Sequence, residues 1–298
     1  MPIRIWHQSF ADLSQLPGYR RMLEEHAVSS ASPGTVVDVH GARPGTYPEG
    51  IPPVLMHHYL LAEHLITLQV VENGIRAERE GYDAFISSCF LDPGLDLTRS
   101  VVSIPVISAF DTSLTLAATV GRRFGLITLD NQTAAAQSAL VRAYGKADRT
   151  LAVEALDPPV TETDIDGAFR LGAELVEKFV AQAARMIARG ADVIVPVEGL
   201  LNTVMVWHGI KSVEGCPVID SFSGIIAVAE ALVGLHRRSG LTAARRGAYA
   251  KPPEAVVEHL RRTTEAVFAD ARLPADPSLA HPGLAAPDPA FTGRIAAQ

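Results

Sequence analysis

Residues Gly81-Tyr-Asp-Ala-Phe-Ile-Ser-Ser-Cys89 indicate how this chain folds, because a second copy follows at Gly190-Ala-Asp-Val-Ile-Val-Pro-Val-Glu198. The two copies superpose without a gap at a constant offset of 109 residues. A shorter pair, Pro105-Val-Ile-Ser-Ala-Phe110 and Pro217-Val-Ile-Asp-Ser-Phe222, follows at an offset of 112 residues. Each copy predicts a glycine that ends a helix, a buried strand, and a reactive residue at the strand's carboxyl end. The repeat therefore predicts two related halves that face one site.

Strands alternate with helices in both halves. The predicted strands are apolar on both faces, which is typical of parallel sheets covered by helices on each side. We therefore expect an α/β protein with two pseudo-symmetric lobes, each a parallel sheet flanked by helices, and an active site in the cleft between the lobes. The predicted strands are residues 3–6, 36–39, 84–86, 104–107, 125–129, 193–197 and 218–219.

Three further segments complete the predicted organisation. The Pro52-Pro53 pair suits the first turn of a helix that runs to about Glu80. Residues 161–166 are rich in threonine and acidic side chains, which predicts the start of another helix. Beyond Leu273 the chain is mostly Ala, Pro and Asp, which predicts a loose or surface-bound tail. The helix after Pro52-Pro53 is predicted from the apolar residues Leu55, Leu61, Leu65, Leu68 and Val71, which recur mostly at three- and four-residue steps.

Bulk composition excludes several classes of function. The 298 residues include 26 Lys and Arg against 33 Asp and Glu, and this net charge of −7 argues against nucleic acid or an anionic membrane as partner. No apolar run is long enough to span a bilayer, and the N-terminus lacks the pattern of a signal peptide. Two cysteines on different predicted strand regions do not form a disulfide framework, so we expect a cytoplasmic protein.

Cys89 and Glu198 are the candidate catalytic residues. Both follow a strand at its carboxyl end, where ligands collect in open parallel sheets. Backbone N–H groups near Cys89 are expected to favour the thiolate, the form that acts as base or nucleophile. Burial of Glu198 after five apolar residues is expected to raise its pKa toward a useful acid/base range. The alternatives are a small buried hydrophobic residue for Cys89 and a capping or salt-bridging side chain for Glu198.

Other reactive side chains are weaker candidates. Cys216 corresponds to Ile104 in the first copy, which favours packing over catalysis. His57 and His58 are adjacent on a predicted helix and point about 100° apart, so they are not expected to bind one ligand together. Either one could still reach the site as a proton donor, but a helix-surface role is favoured. Asp92 either orients Cys89 or caps the next turn. No nucleotide-binding glycine motif or metal-ligand spacing occurs, so neither a cofactor nor a metal is implied.

Several stretches resemble the aspartate/glutamate/hydantoin racemase superfamily, most closely its hydantoin racemase branch. They are residues 85–96, 121–128, 190–195 and 217–220, together with 242–250. The resemblance implies two α/β lobes with residues 1–111 and 222–298 in lobe one, including the tail, and residues 112–221 in lobe two. It also implies a homo-oligomer that acts on a small molecule with a carbonyl or carboxylate group.

The resemblance further implies two catalytic cysteines on opposite faces of the substrate. Cys89 matches the first of them, and Glu198 stands at the position of the second. The stretch His7-Gln8-Ser9 stands where members usually have Asn-Pro-Asn. The predicted substrate-binding residues are His7, Gln8, Ser9, Ser88, Phe90, Thr128 and Gly199.

Three functions remain open at this point. The first is a cofactor-independent racemase or isomerase that transfers a proton at a carbon next to a carbonyl, in a hydantoin-like or amino-acid-derived substrate. Free thiol and carboxyl pKa values differ by about four units, which favours a directional reaction. The second is therefore a hydrolase in which Glu198 activates water, or a decarboxylase on the same scaffold. The third is a binding protein that kept the cleft without catalysis.

Overall fold

The computed structural model describes residues 2–47, 53–161, 166 and 172–270. Its strands are β1 (Ile3–Gln8), β2 (Thr35–His40), β3 (Ala84–Ser87), β4 (Val106–Ser108), β5 (Phe124–Thr128), β6 (Thr150–Ala155), β7 (Val193–Pro196), β8 (Ser212–Val213) and β9 (Cys216–Pro217). Its α-helices are α1 (Pro17–Ser30), α2 (Pro53–Met56), α3 (Leu60–Arg79), α4 (Leu95–Val101), α5 (Ala109–Val120), α6 (Asn131–Ala143), α7 (Ala173–Ala188), α8 (Gly199–Trp207), α9 (Ser221–Ser239) and α10 (Glu254–Asp270).

Two parallel sheets form the framework of the molecule. The first has the strand order β2-β1-β3-β4, and the second has the order β6-β5-β7. Helices flank both sheets, and one apolar core joins side chains from both of them. The predicted α/β fold with two lobes is therefore confirmed.

The two sheets share one pairing register, which is the structural form of the sequence repeat. Ile5 pairs with Ala84 in the first sheet as Phe124 pairs with Val193 in the second. Val218 meets Ile194 in an isolated bridge, at the position where β4 pairs with β3 in the first sheet. The strand predicted at 218–219 is thus reduced to a single bridge.

Equivalent turns lead into β3 and β7. Gly81 and Gly190 have φ values of 77° and 100°, a left-handed conformation that strains other residues. The Asp83 carboxylate accepts the backbone N–H of Arg4, and the Asp192 carboxylate accepts the backbone N–H of Arg122. These contacts join each turn to the neighbouring strand, so both aspartates have a structural role.

The helix predicted from residue 52 to residue 80 is divided. Helix α2 ends at Met56 and α3 begins at Leu60, with a turn at 57–59 between them. The leucines whose spacing indicates the helix do not form its buried face, because Leu61, Leu65 and Leu68 are 47%, 43% and 40% exposed. The buried face of α3 instead includes Ile66, Val70, Gly74 and Ala77.

Close packing against α4 explains the glycine on the buried face of α3. A Cβ atom on Gly74 would lie only 2.4 Å from the Cγ2 atom of Thr98 on α4. A larger side chain has no room at position 74.

The last part of the described chain returns to the first sheet. Helix α9 packs against β3 and β4, and its Phe222 is fully buried. None of the described helices combines the length and apolarity needed to cross a membrane. The helix start predicted at 161–166 lies outside the described residues except for Thr161 and Asp166, and so does the tail beyond Leu273.

Candidate active site

Cys89 and Glu198 occupy equivalent turns at the carboxyl ends of the two sheets. Each residue lies two positions after its strand, Cys89 after β3 and Glu198 after β7. The residues just before them are held alike, because Ser88 N–H donates to the Gln8 carbonyl at 2.9 Å and Val197 N–H donates to the Ile127 carbonyl at 2.8 Å. The sequence repeat thus brings a thiol and a carboxyl to matching places.

Both side chains line one cavity with an empty volume of about 550 Å³, open solvent included. Residues from both halves of the sequence line it. The lining residues are Ser9, Phe10, Ala11, Tyr19, Pro53, His57, Ser88, Cys89, Phe90 and Leu91 from the first half, and Thr133, Gln137, Val197, Glu198, Gly199 and Leu200 from the second.

Four of the predicted substrate-binding residues line this cavity, namely Ser9, Ser88, Phe90 and Gly199. His7, Gln8 and Thr128 do not. The His7 ring is fully buried with its centroid 5.4 Å from that of Phe222, and burial lowers its pKa to about 3. The Gln8 side-chain oxygen Oε1 accepts from Trp6 Nε1 at 2.9 Å and from Asn73 Nδ2 at 3.0 Å. Thr128 is the fully buried last residue of β5. These three residues still belong to strands β1 and β5 and lie inside the lobes, whereas the chain reaches the cavity only after the strands end.

The Glu198 side chain lines the cavity and also caps a helix. It is the N-cap of α8, and its Oε2 accepts the backbone N–H of Leu201 at 2.7 Å. Burial raises the pKa of Glu198, while hydrogen bonds from the first backbone N–H groups of α8 oppose the rise. A carboxyl of this kind can hold a proton that an exposed glutamate would lose, and it can therefore serve as an acid.

The Cys89 thiol differs from the sequence expectation. Its pKa is raised well above the ordinary value, first by burial and then by the carboxylates of Asp92, Glu63 and Glu198. The backbone N–H of Leu91 opposes this rise without reversing it. The expected stabilisation of the thiolate by backbone donors is therefore outweighed by loss of solvent and by nearby negative charge.

His57 lies against Cys89 instead of on a helix surface. Its Nε2 is 3.7 Å from Cys89 Sγ, and its Nδ1 is 3.2 Å from Glu63 Oε1. The His57 ring stacks on Phe10 with centroids 4.4 Å apart, and its side chain is only 9% exposed. The surface role predicted for His57 is wrong because the helix breaks at this turn.

His58 is also buried, on the opposite side of the same turn. Its Nε2 lies 3.4 Å from Asp130 Oδ1, and its side chain is 7% exposed. Asp130 caps α6 by accepting the backbone N–H groups of Gln132 and Thr133. The turn at 57–59 therefore contacts both halves, His57 the first and His58 the second.

Gln137 is a cavity residue that no sequence motif indicated. Its Nε2 donates to the Val197 carbonyl at 2.6 Å and to the Phe90 carbonyl at 3.5 Å, so it joins the turns that carry Cys89 and Glu198. Its Oε1 is buried without a hydrogen-bond partner among the described residues, and so is the Oγ of Ser88. Buried polar atoms without partners are costly, which makes both atoms candidates for ligand contacts.

The contacts of Asp92 and of Cys216 indicate that both residues have a structural role. The Asp92 backbone N–H donates to the Cys89 carbonyl at 3.0 Å, and its Oδ2 accepts from Ser108 Oγ at 2.6 Å and from Tyr144 Oη at 2.7 Å. Asp92 therefore connects the Cys89 turn to Ser108 and Tyr144. Cys216 Sγ lies 3.8 Å from the Ala191 carbonyl and does not line the cavity. Both cysteines are free.

Comparisons with known proteins agree on one family. The profile described as Asp/Glu/Hydantoin racemase matches residues 20–196. The hydantoin racemase of Rhizobium meliloti is 32% identical over 179 residues, which are 59% of this chain and 69% of that protein. The structure of allantoin racemase from Klebsiella pneumoniae has a TM-score of 0.65 at 25% identity, over 85% of this chain and 94% of the other. Allantoin racemase from Pseudomonas fluorescens has a TM-score of 0.67 at 20% identity, over 85% and 98%. Since the family profile covers more than half of the sequence, this chain belongs to the Asp/Glu/hydantoin racemase family.

Proposed function

We propose that this protein is a cofactor-independent racemase, or a closely related isomerase, which transfers a proton at a carbon next to a carbonyl. The observation that supports the proposal is the shared cavity of Cys89 and Glu198, which reach it from equivalent turns of the two sheets. Two acid/base groups that share a cavity, one from each half of the molecule, can act on opposite faces of a carbon atom bound between them. Inversion of a stereocentre requires one such group on each face.

In the proposed reaction, the thiolate of Cys89 removes the proton from one face of the substrate carbon. The electron pair of the broken C–H bond moves into the neighbouring carbonyl and gives an enolate. The carboxylic acid of Glu198 then delivers its own proton to the opposite face. The raised pKa of Glu198, caused by burial, supports the acid role at neutral pH.

The substrate class that fits the cavity is a ring amide or imide, such as a hydantoin. Ser88 Oγ offers a hydrogen-bond donor for a substrate carbonyl, and Gln137 Oε1 offers an acceptor for a substrate N–H. Hydantoin rings contain both groups. The names of the relatives, hydantoin racemase and allantoin racemase, support the same class.

Hydrogen exchange in heavy water tests the proton-transfer role of each residue. With single enantiomers of 5-substituted hydantoins, we expect the wild type to invert the substrate with solvent deuterium in the product. Glu198→Gln should exchange the hydrogen of one enantiomer without inverting it, and Cys89→Ser should do so only for the other. Cys216→Ser is the matched control, because its thiol lies outside the cavity. Full racemisation by both active-site variants would refute the proposal.

A hydrolase is the second candidate, and the contact of Cys89 with His57 and Glu63 favours it. A thiol, an imidazole and a carboxylate in sequence are typical of nucleophilic cysteines. The thiolate would add to a ring carbonyl, the ring nitrogen would leave with a proton from His57, and water activated by Glu198 would cleave the thioester. Oxygen-18 from labelled water in a ring-opened product would establish this reaction over isomerisation.

Assembly and location are further parts of the proposal. We propose a homo-oligomer, supported by the family resemblance and by the exposed leucines on α3. We also propose a cytoplasmic location, supported by two cysteines that are both free. The only partner proposed is a small-molecule substrate, without nucleic acid or membrane.

A further inference from the structure

The Cys89 thiol needs a proton acceptor before it can act on any substrate. A neutral thiol is a poor base and a poor nucleophile. Glu63 on α3 and Asp92 beyond β3 add negative charge near a sulfur that is already buried, and Glu198 before α8 does so whenever it is ionised. These surroundings keep the thiol protonated unless a positive charge forms beside it.

His57 is the basic side chain in contact with the sulfur, and three contacts fix its ring. Nε2 points to Cys89 Sγ at 3.7 Å, Nδ1 points to Glu63 Oε1 at 3.2 Å, and Phe10 stacks on the ring face. Glu63 lies in the first turn of α3, and its side chain is 24% exposed, so its carboxyl group is partly accessible to solvent. An imidazole held between a carboxylate and a thiol is oriented to accept the thiol proton at Nε2.

We propose that His57 takes the proton of Cys89, with Glu63 as the positioning residue, so that the reactive state is a thiolate–imidazolium pair. The S–H bond breaks, its electron pair stays on sulfur, and the proton moves to His57 Nε2 while Nδ1–H donates to Glu63. This inference rests on the proposed function of Cys89, and it deepens that function by naming the group that ionises the thiol.

The protons balance over one turnover. The reactive state holds a Cys89 thiolate, a His57 imidazolium and a Glu198 carboxylic acid. Proton transfer from and to the substrate leaves a Cys89 thiol, a His57 imidazolium and a Glu198 carboxylate. Solvent then removes one proton from His57 and supplies one to Glu198, after which the thiol proton can pass to His57 again.

Alkylation of Cys89 tests this pair without any substrate. In a Cys216→Ser background, the rate of reaction with iodoacetamide is measured against pH, with the modified residue identified by mass spectrometry. We expect His57→Asn to lower the rate at pH 7 at least about tenfold and to move the profile to higher pH, because one pKa unit corresponds to a tenfold change in thiolate. Glu63→Gln should give a smaller loss in the same direction.

His64→Asn is the matched control, since His64 is an exposed histidine on α3, next to Glu63, and its variant should react like the parent. His57→Gln and the thiolate absorbance of each variant in the far ultraviolet provide independent readings of the same ionisation. Unchanged alkylation and absorbance profiles in both His57 variants would overturn the inference. If the alkylation changes as expected but hydantoins are not isomerised, the ion pair stands and the proposed function fails.

Discussion

At the scale of single residues, Gln137 joins the two halves of the site through its amide group. Replacing it by methionine leaves the carbonyls of Val197 and Phe90 without their donor, since Gln137 Nε2 contacts both. We expect Gln137→Met to lower the free energy of unfolding by about 1–3 kcal/mol, the cost of an unpaired buried polar group.

The same variant should also lower racemisation, because the two turns that present Cys89 and Glu198 lose their link. Denaturant unfolding and hydantoin turnover measure the two effects separately. Gln132→Met, an exposed position on the same helix, is the control and should change neither quantity by much. A Gln137 variant with wild-type stability and turnover would show that the hydrogen bonds of Gln137 to Val197 and Phe90 affect neither quantity.

The raised pKa of the buried Asp92 carboxyl makes the free energy of unfolding depend on pH. Burial raises its pKa from 3.8 to about 6, although hydrogen bonds from Ser108 and Tyr144 oppose the rise. The folded protein thus binds this proton more tightly than the unfolded chain does. The contribution of Asp92 to the free energy of unfolding is therefore lost as the pH rises from about 4 to about 6, by at most about 3 kcal/mol.

Asp92→Asn should remove this pH dependence. We expect the stability of the variant relative to wild type to increase between pH 4 and pH 7, as measured by denaturant unfolding at both values. Asp148→Asn, at an exposed position, is the comparison and should show a much smaller change. A constant difference between Asp92→Asn and wild type across this range would contradict the assignment.

Which site residues the sequence could reveal depends on how each residue is placed. Cys89 and Glu198 follow strands of the repeat, so their register alone brings them to one end of the sheets. His57 was not predictable in this way, because its position depends on the break between α2 and α3. Gln137 lies within a helix whose sequence contains no motif, and only the packing of α6 against both turns gives it a role.

At the scale of elements, the start of α8 requires a glycine. A Cβ atom on Gly199 would lie 2.7 Å from Tyr19 Oη and 3.3 Å from Phe222 Cζ. We expect Gly199→Ala to destabilise the protein by about 1–3 kcal/mol and to displace Glu198, because overpacking forces neighbouring atoms apart. Turnover should fall with stability, since Glu198 immediately precedes the altered residue.

A double variant separates this clash from other effects of the substitution. Tyr19→Phe removes the oxygen atom nearest to the added methyl group, so Gly199→Ala in that background should cost less stability than it does alone. Thermal unfolding of the four proteins in the cycle measures the coupling directly. Equal costs in both backgrounds would mean that the contact with Tyr19 is not the cause.

The helix α3 shows what periodicity predicts and what it cannot. Apolar spacing correctly indicates a helix, but two stripes on α3 satisfy the same period. Leu61, Leu65 and Leu68 form one stripe, and Ile66, Val70, Gly74 and Ala77 form the other. Hydrophobicity favours the leucines, whereas the stripe that is buried contains Gly74, where the short distance to Thr98 on α4 leaves no room for a larger side chain. Sequence patterns contain the period of a helix but not the distance to its neighbour.

At the scale of the whole molecule, the repeat explains why the fold was largely predictable. Two strand pairings in the same register determine the order of both sheets, and the carboxyl ends then meet at one cavity. The repeat cannot predict that α9 packs on the first sheet, because this depends on where the chain crosses back. The family resemblance does predict it, since it implies that residues 222–298 belong to lobe one.

The exposed leucines of α3 lead to the last prediction, which concerns assembly. Leu60, Leu61, Leu65 and Leu68 are 82%, 47%, 43% and 40% exposed on consecutive turns of one helix. Such a patch is unfavourable in water, and its burial against a second copy contributes about 25 cal/mol of association free energy for each Å² of apolar surface covered.

We expect the wild type to be oligomeric and Leu61→Glu/Leu65→Glu to weaken the association at least about tenfold, because each buried carboxylate would lack a partner. Light scattering over a range of concentrations measures the mass, and Val28→Glu, at a site 78% exposed on α1, is the control that should remain oligomeric. If the double variant keeps the wild-type mass at every concentration, the α3 leucines are not the interface.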